Sequence, residues 1–130
     1  MRFLKVIFLF TICIFFFSCS KKNPDTYIRL ENEGCFGAKT SELLFFKEND
    51  SSLVILSEDG KEIKRTRVGE GQIAAVSYFR QKIEALRDDG YSTIVQHFTL
   101  ESGKIKIKKT YYGYCNDFDR LKTVLFMTKK

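Results

Sequence analysis

The chain has no Trp, a single His, a single Pro and only two Met among its 130 residues. Each shortage closes off a class of protein. One histidine, His97, excludes metal centres built from several imidazoles and leaves a Ser/His/Asp site one candidate base. One proline and eight glycines exclude collagen-like and Pro-rich chains. A hydrophobic share of 44% with 29% charged residues excludes wholesale disorder, and 130 residues make one small domain. The catalytic signatures G-x-S-x-G, H-E-x-x-H and G-x-x-x-x-G-K-[ST] are all missing. His97 alternates with Thr93 and Thr99 on the polar side of a predicted strand, and Asp88-Asp89 read as turn chemistry beside Gly90. The sequence therefore predicts no catalytic residues, no metal, no cofactor and no enzyme.

What is present begins at the N-terminus. Met1 to Lys5 carries two positive charges, and Val6 to Phe17 (VIFLFTICIFFF) is almost unbroken apolar sequence. A basic start, about a dozen apolar residues and a small residue before a cut site form the secretory signal pattern. The run is short of the roughly 20 residues that a membrane span needs. Its end, Phe16-Phe17-Ser18-Cys19, resembles the lipobox of bacterial lipoproteins, in which a small residue precedes a cysteine that becomes the acylated first residue after cleavage. The resemblance implies a signal peptide at 1–18 and lipid, palmitate included, on Cys19. It also implies an exported protein held on the cell envelope membrane, expected at the outer membrane. Several acyl chains anchor a protein where one barely does so. Residues 19–26 then form the lipidated Cys and a polar tether, and 27–130 the folded domain. Removing 1–18 takes away Arg2, Lys5 and no acid, lowering the formal balance from +6 to +4. Lys21 and Lys22 stand where they could meet anionic head groups.

The four cysteines sort by position. Cys13 lies in the signal and Cys19 at the lipid site, leaving Cys35 and Cys115. An oxidising compartment favours pairing, and two cysteines admit one pairing, so a structural Cys35–Cys115 disulfide is expected. The alternative, a redox or metal pair, lacks both C-x-x-C spacing and enough ligands.

Hydrophobic patterning predicts strands at 27–31, 42–47, 52–56 and 61–68, with turns at 48–51 and Asp59-Gly60. From Gln72 to Arg87, Ile73, Val76, Phe79, Ile83 and Leu86 recur at helical spacing. Strands follow at 92–100 and 105–112, then a helix from Asn116 as cap, with Phe118, Leu121, Val124 and Leu125 facing the core. The order β-β-β-β-α-β-β-α predicts an α+β domain: an antiparallel sheet of about six strands with both helices on one face.

Two basic stripes and one aromatic group are candidates for contact. Lys104, Lys106 and Lys108 share a strand face, as do Lys61, Arg65 and Arg67; if the two strands were close they would form an anion-contact patch. The alternative is edge protection by charge. Tyr111, Tyr112 and Tyr114, with Phe36 beside Cys35, are expected to pack around the disulfide, with a binding surface as the alternative.

The layout Gly34-Cys35-Phe36-Gly37, then Cys115 followed by Phe118, Leu121, Lys122, Leu125 and Phe126, is similar to that of small Gram-negative envelope lipoproteins. The function expected is that of a non-enzymatic, lipid-anchored binding or structural module. Its partners would be the membrane through Cys19 and an envelope protein or anionic glycan. Export disfavours nucleic acid. The alternative is an inhibitor of a cell-wall-degrading enzyme.

Overall fold

A computed structural model describes residues 21–87 and 90–127. The signal at 1–18, Cys19, the Asp88-Asp89 turn and the terminal lysines lie outside the described residues. The chain runs β1 (Thr26–Gly34), β2 (Gly37–Glu48), β3 (Ser51–Glu58), β4 (Lys61–Val68), α1 (Glu70–Glu84), β5 (Val95–Ser102), β6 (Ile105–Tyr112) and α2 (Asp117–Phe126). The α+β order is as the sequence predicts.

The first four strands form a meander of two-residue hairpins. Asp59 and Gly60 both have positive φ (49° and 81°), the mirror-image turn whose twist suits paired strands. All pairings are antiparallel, and the sheet order is β4-β3-β2-β1-β5-β6. Helix α1 thus carries the chain from the β4 edge across the sheet to β5, which pairs beside β1.

One sheet face is apolar by strict alternation: Ile28 and Leu30, Leu43 and Phe45, Val54 and Leu56, Phe98 and Leu100 are all buried. Phe79 and Ile83 of α1 and Phe118, Leu121 and Leu125 of α2 cover it, so both helices lie on one face. The ring of Phe79 meets those of Phe98 and Phe118 edge-on, at centroid distances of 6.2 and 6.1 Å. Gln72 joins the helix ends. Its amide donates to the Val124 and Leu125 carbonyls, groups that have no partner within α2, and its oxygen accepts the Gly69 N–H. Asn116 stands at the start of α2, but its side chain makes no cap hydrogen bond there; Val124 is exposed rather than in the core.

Candidate functional site

The N-terminal tether is short because the chain folds back onto the sheet. Asp25 N–H donates to the Phe45 carbonyl (2.8 Å), the Asp25 carboxylate accepts the Lys47 N–H (2.6 Å), and Lys22 Nζ reaches the Lys47 carbonyl (3.4 Å). Asp25 therefore continues the β1–β2 pairing by one backbone bond, and the entering chain lies at one pole of the sheet. Around that pole stand the turns at Asn49-Asp50 and Gly103-Lys104.

The two basic stripes do not meet. Strands β4 and β6 are the opposite edges of the sheet, five strand spacings apart, or about 24 Å. A bulge between Leu56 and Ser57 shifts the β3–β4 register and takes Lys61 out of the alternation shared by Arg65 and Arg67. Lys104 falls in the β5–β6 turn, leaving Lys106 and Lys108 on the strand. Several of these cations already have partners. Arg65 forms a fork with Glu62, Arg67 reaches Glu48 at 3.1 Å, and Lys106 reaches Glu101 at 2.8 Å. Between the edges, the uncovered face carries Glu42, Glu31 and Glu101 in register with Arg29, His97, Thr99 and Lys106. A single anion-contact patch is excluded by strand order, and the edge-protection reading fits the placement.

His97 lies on this uncovered face, its Nδ1 3.0 Å from Thr110 Oγ1 and its Nε2 3.7 Å from Glu33. Among the described residues, no group of three or more His, Cys, Asp or Glu could hold a metal. No described helix is long and apolar enough to cross a membrane.

The cysteines differ from expectation: both are free thiols. Cys35 is exposed in the two-residue turn between Gly34 and Gly37, beyond the last β1–β5 pair. Cys115 packs against the core, and its Sγ donates to Asp117 Oδ2 at 3.1 Å. Burial pushes this thiol up to about 11; the Asp117 backbone hydrogen bond opposes the rise, and the Asp117 carboxylate adds to it. The two cysteines share a pole of the sheet, but one side chain points to solvent and the other inward.

Packing of aromatics around a disulfide is replaced by another arrangement. Tyr111 joins the core, whereas Tyr112 and Tyr114 are exposed and Phe36 is wholly so, at 106%. The pole opposite the tether is assembled from three segments. Glu33 pairs with Val95, Val95 with Tyr112, and Gly113 N–H donates to the Ile94 carbonyl. Gln96, fully buried, locks them together. Its amide donates to Asn32 Oδ1 and its oxygen accepts the Cys115 N–H, both at 2.7 Å. Gly113 takes φ +140°, and a Cβ there would stand 3.1 Å from the Tyr111 ring. At Gly90 a Cβ would lie 3.0 Å from the Tyr112 carbonyl. Tyr114 hydrogen-bonds Asp119, which raises the phenol pKa; for Asp119, burial opposes ionisation, but the bonds from Tyr114 and Lys122 outweigh it and hold the carboxyl below its ordinary range. In sequence this pole is marked by Tyr111, Tyr112 and Tyr114, a run of tyrosines with no charge between them.

Beside it, the two helices enclose a groove of about 480 Å³ floored by Ala75, Phe79 and Leu121, with Tyr78 and Val124 at its lip. Comparison of the chain with known protein families and with curated proteins finds no match in either.

Proposed function

We propose that the chain is an exported protein anchored to the bacterial cell envelope membrane, expected at the outer membrane, by lipid on Cys19. We further propose that its domain works as a non-enzymatic binding module. The observation that carries this reading is Ser18-Cys19 directly after the Val6 to Phe17 export signal. The tether fits the same reading. Lys22 is already fixed to the sheet, so a lipid on Cys19 lies within about 11 Å of it, the reach of three extended residues. A module of this kind needs an anchor at one end and a free surface elsewhere, and the exposed Phe36, Tyr112 and Tyr114 stand at the pole away from the tether.

Globomycin, which blocks lipoprotein signal cleavage, should make cells accumulate a precursor that retains residues 1–18. The Cys19→Ser chain should leave the membrane fraction. Processing unchanged by the drug, or a stable Cys19→Ser chain still on the membrane, would overturn the anchor.

A further inference from the structure

The six-stranded sheet is open, and its two edges are not alike. Strand β4 is a poor template for another chain. A bulge between Leu56 and Ser57 breaks its pairing, and its arginines are engaged by Glu62 and Glu48. Strand β6 pairs with β5 over all eight of its residues without a shift in register. The Gly113 N–H bonds the Ile94 carbonyl, which continues that ladder and sets its phase. By antiparallel alternation, the odd residues of β6 exchange bonds with β5 and the even ones turn their N–H and C=O outward. Gly90 stands close against the Tyr112 carbonyl. Among the described residues, no backbone group bonds the outward groups of Lys106, Lys108 and Thr110. Side chains flank this open row in two sets. Lys106 and Lys108 lie on the uncovered face. Ile105 and Ile107 lie on the helix-covered face beside Ser102 and the buried Leu100, with Ile105 38% exposed at the rim and Lys109 next in line. Every charged residue of β6 and its turn is a lysine. Glu101 of β5 reaches Lys106 at 2.8 Å, and no described carboxylate pairs with Lys104, Lys108 or Lys109.

We propose that β6 accepts, as a further strand of the sheet, an extended protein segment in which acidic and apolar residues alternate. The inference deepens the binding-module reading above and rests on it, but not on lipidation. Backbone groups select an extended peptide: the outward N–H and C=O of Lys106, Lys108 and Thr110 form a row that another strand matches and a glycan or a bilayer does not. Charge selects carboxylates beside Lys106 and Lys108, since opposite charges facing each other across strands stabilise the pair. The same rule turns away a second copy of this chain, because β6 against β6 sets lysine against lysine. Alternation then places the segment's intervening residues beside Ile105 and Ile107, where apolar groups extend the core on the helix side. Edge protection and recognition are thus one device. The lysines bar strands without acid and admit one that carries it.

The test uses the natively purified full chain and three short fluorescein-labelled peptides as probes. One alternates Glu with Val, one has the same composition with its Glu residues in a block, and one alternates Lys with Val. Anisotropy titration should show the alternating acidic peptide binding at least tenfold more tightly than either of the others. Hydrogen exchange should then slow at the N–H groups of Lys106, Lys108 and Thr110, which face away from β5. Lys108→Pro removes an N–H that has no partner in the fold, so circular dichroism should stay unchanged while binding is lost. Lys108→Glu, which keeps the N–H, should weaken the acidic peptide about tenfold and strengthen the basic one. Equal binding of the alternating and blocked acidic peptides would make β6 a polyanion contact only, and overturns the proposal. So does exchange protection elsewhere than at 106, 108 and 110, binding that both variants leave intact, or no binding of the alternating peptide at millimolar concentration. In native cells, the photoreactive residue p-benzoylphenylalanine at 108 should give a protein adduct that maps to an acidic segment. Protein adducts from position 53 on the uncovered face, with none from 108, overturn the edge but leave the binding module standing.

Discussion

Single side chains set the chemistry of the distal pole. Cys115 is held protonated chiefly by burial near the core, up to about 11, with the Asp117 carboxylate adding to the rise that its backbone N–H opposes. At pH 8 its thiolate fraction is about two orders of magnitude below that of an ordinary thiol of pKa about 8.5. In the natively purified protein, alkylation followed by peptide mass mapping should label Cys35 rapidly and Cys115 at least tenfold more slowly. Equal rates would contradict the inward placement of Cys115, and two unlabelled cysteines that appear only after reduction would restore the disulfide expected from sequence. Gln96 is the other decisive residue there. Gln96→Leu leaves the Cys115 N–H and the Asn32 side chain without their partner, at a cost of about 1–3 kcal/mol for each buried group left unpaired. Urea denaturation should read this as a lower midpoint with unchanged slope. On the uncovered face, burial and the hydrogen bond to Glu42 push Tyr27 up to about 12. The proton is bound more tightly in the folded state than in the unfolded one, so this contribution to stability is complete below pH 10 and is lost as pH rises towards 12. Absorbance titration should show a tyrosinate step near pH 12, which Tyr27→Phe removes.

At the scale of elements, the core depends on how α1 lies between the sheet and α2. Phe79 meets Phe98 on one side and Phe118 on the other, so its removal loosens two contacts together. Phe79→Ala should cost about 3–5 kcal/mol and Phe79→Leu clearly less, measured by denaturant titration. Equal losses would mean that the ring contacts with Phe98 and Phe118, and not the volume that Leu restores, carry the contribution. These elements were largely readable in advance because local rules govern them. Period-two alternation marked Ile28 and Leu30, the apolar runs at 42–47 and 52–56 marked the next two strands, and Asp59-Gly60 chose its own turn. Helix α1 begins two residues earlier than its apolar spacing suggested and ends three residues sooner, at Glu84. Long-range pairing was not readable. Nothing near Lys61 or Lys106 says that β5 pairs with β1, which places β4 and β6 on opposite edges and divides the basic stripes. The bulge that displaces Lys61 is likewise a property of the β3–β4 pair, not of either strand alone. The distal pole was half readable: the tyrosines stood out, but their exposure depends on Cys115 turning inward.

The whole molecule is polar in the geometric sense. The chain enters at the pole where Asp25 and Lys22 bind the end of β2, and β1 runs nine residues to the hairpin that carries Phe36. At about 3.3 Å per residue that is a span of about 30 Å. A lipid on Cys19 would hold the first pole against the bilayer with little slack, since only Ser20 and Lys21 separate it from Lys22. The Phe36 pole would then stand clear of the head groups, where a partner can reach it. Lipidated protein reconstituted into vesicles with an acceptor dye on the head groups tests this orientation by energy transfer. A donor attached at position 104, in the β5–β6 turn, should be strongly quenched, and one at position 39, beside the Phe36 hairpin, much less. Salt should leave the difference intact, because acyl chains and the hydrogen bonds of Asp25 to Phe45 and Lys47 hold the orientation, rather than Lys21 and Lys22 alone. Equal quenching at the two sites would mean that the domain lies flat or tumbles on its tether. The bonds of Asp25 to the end of β2 would then be too weak to aim the molecule.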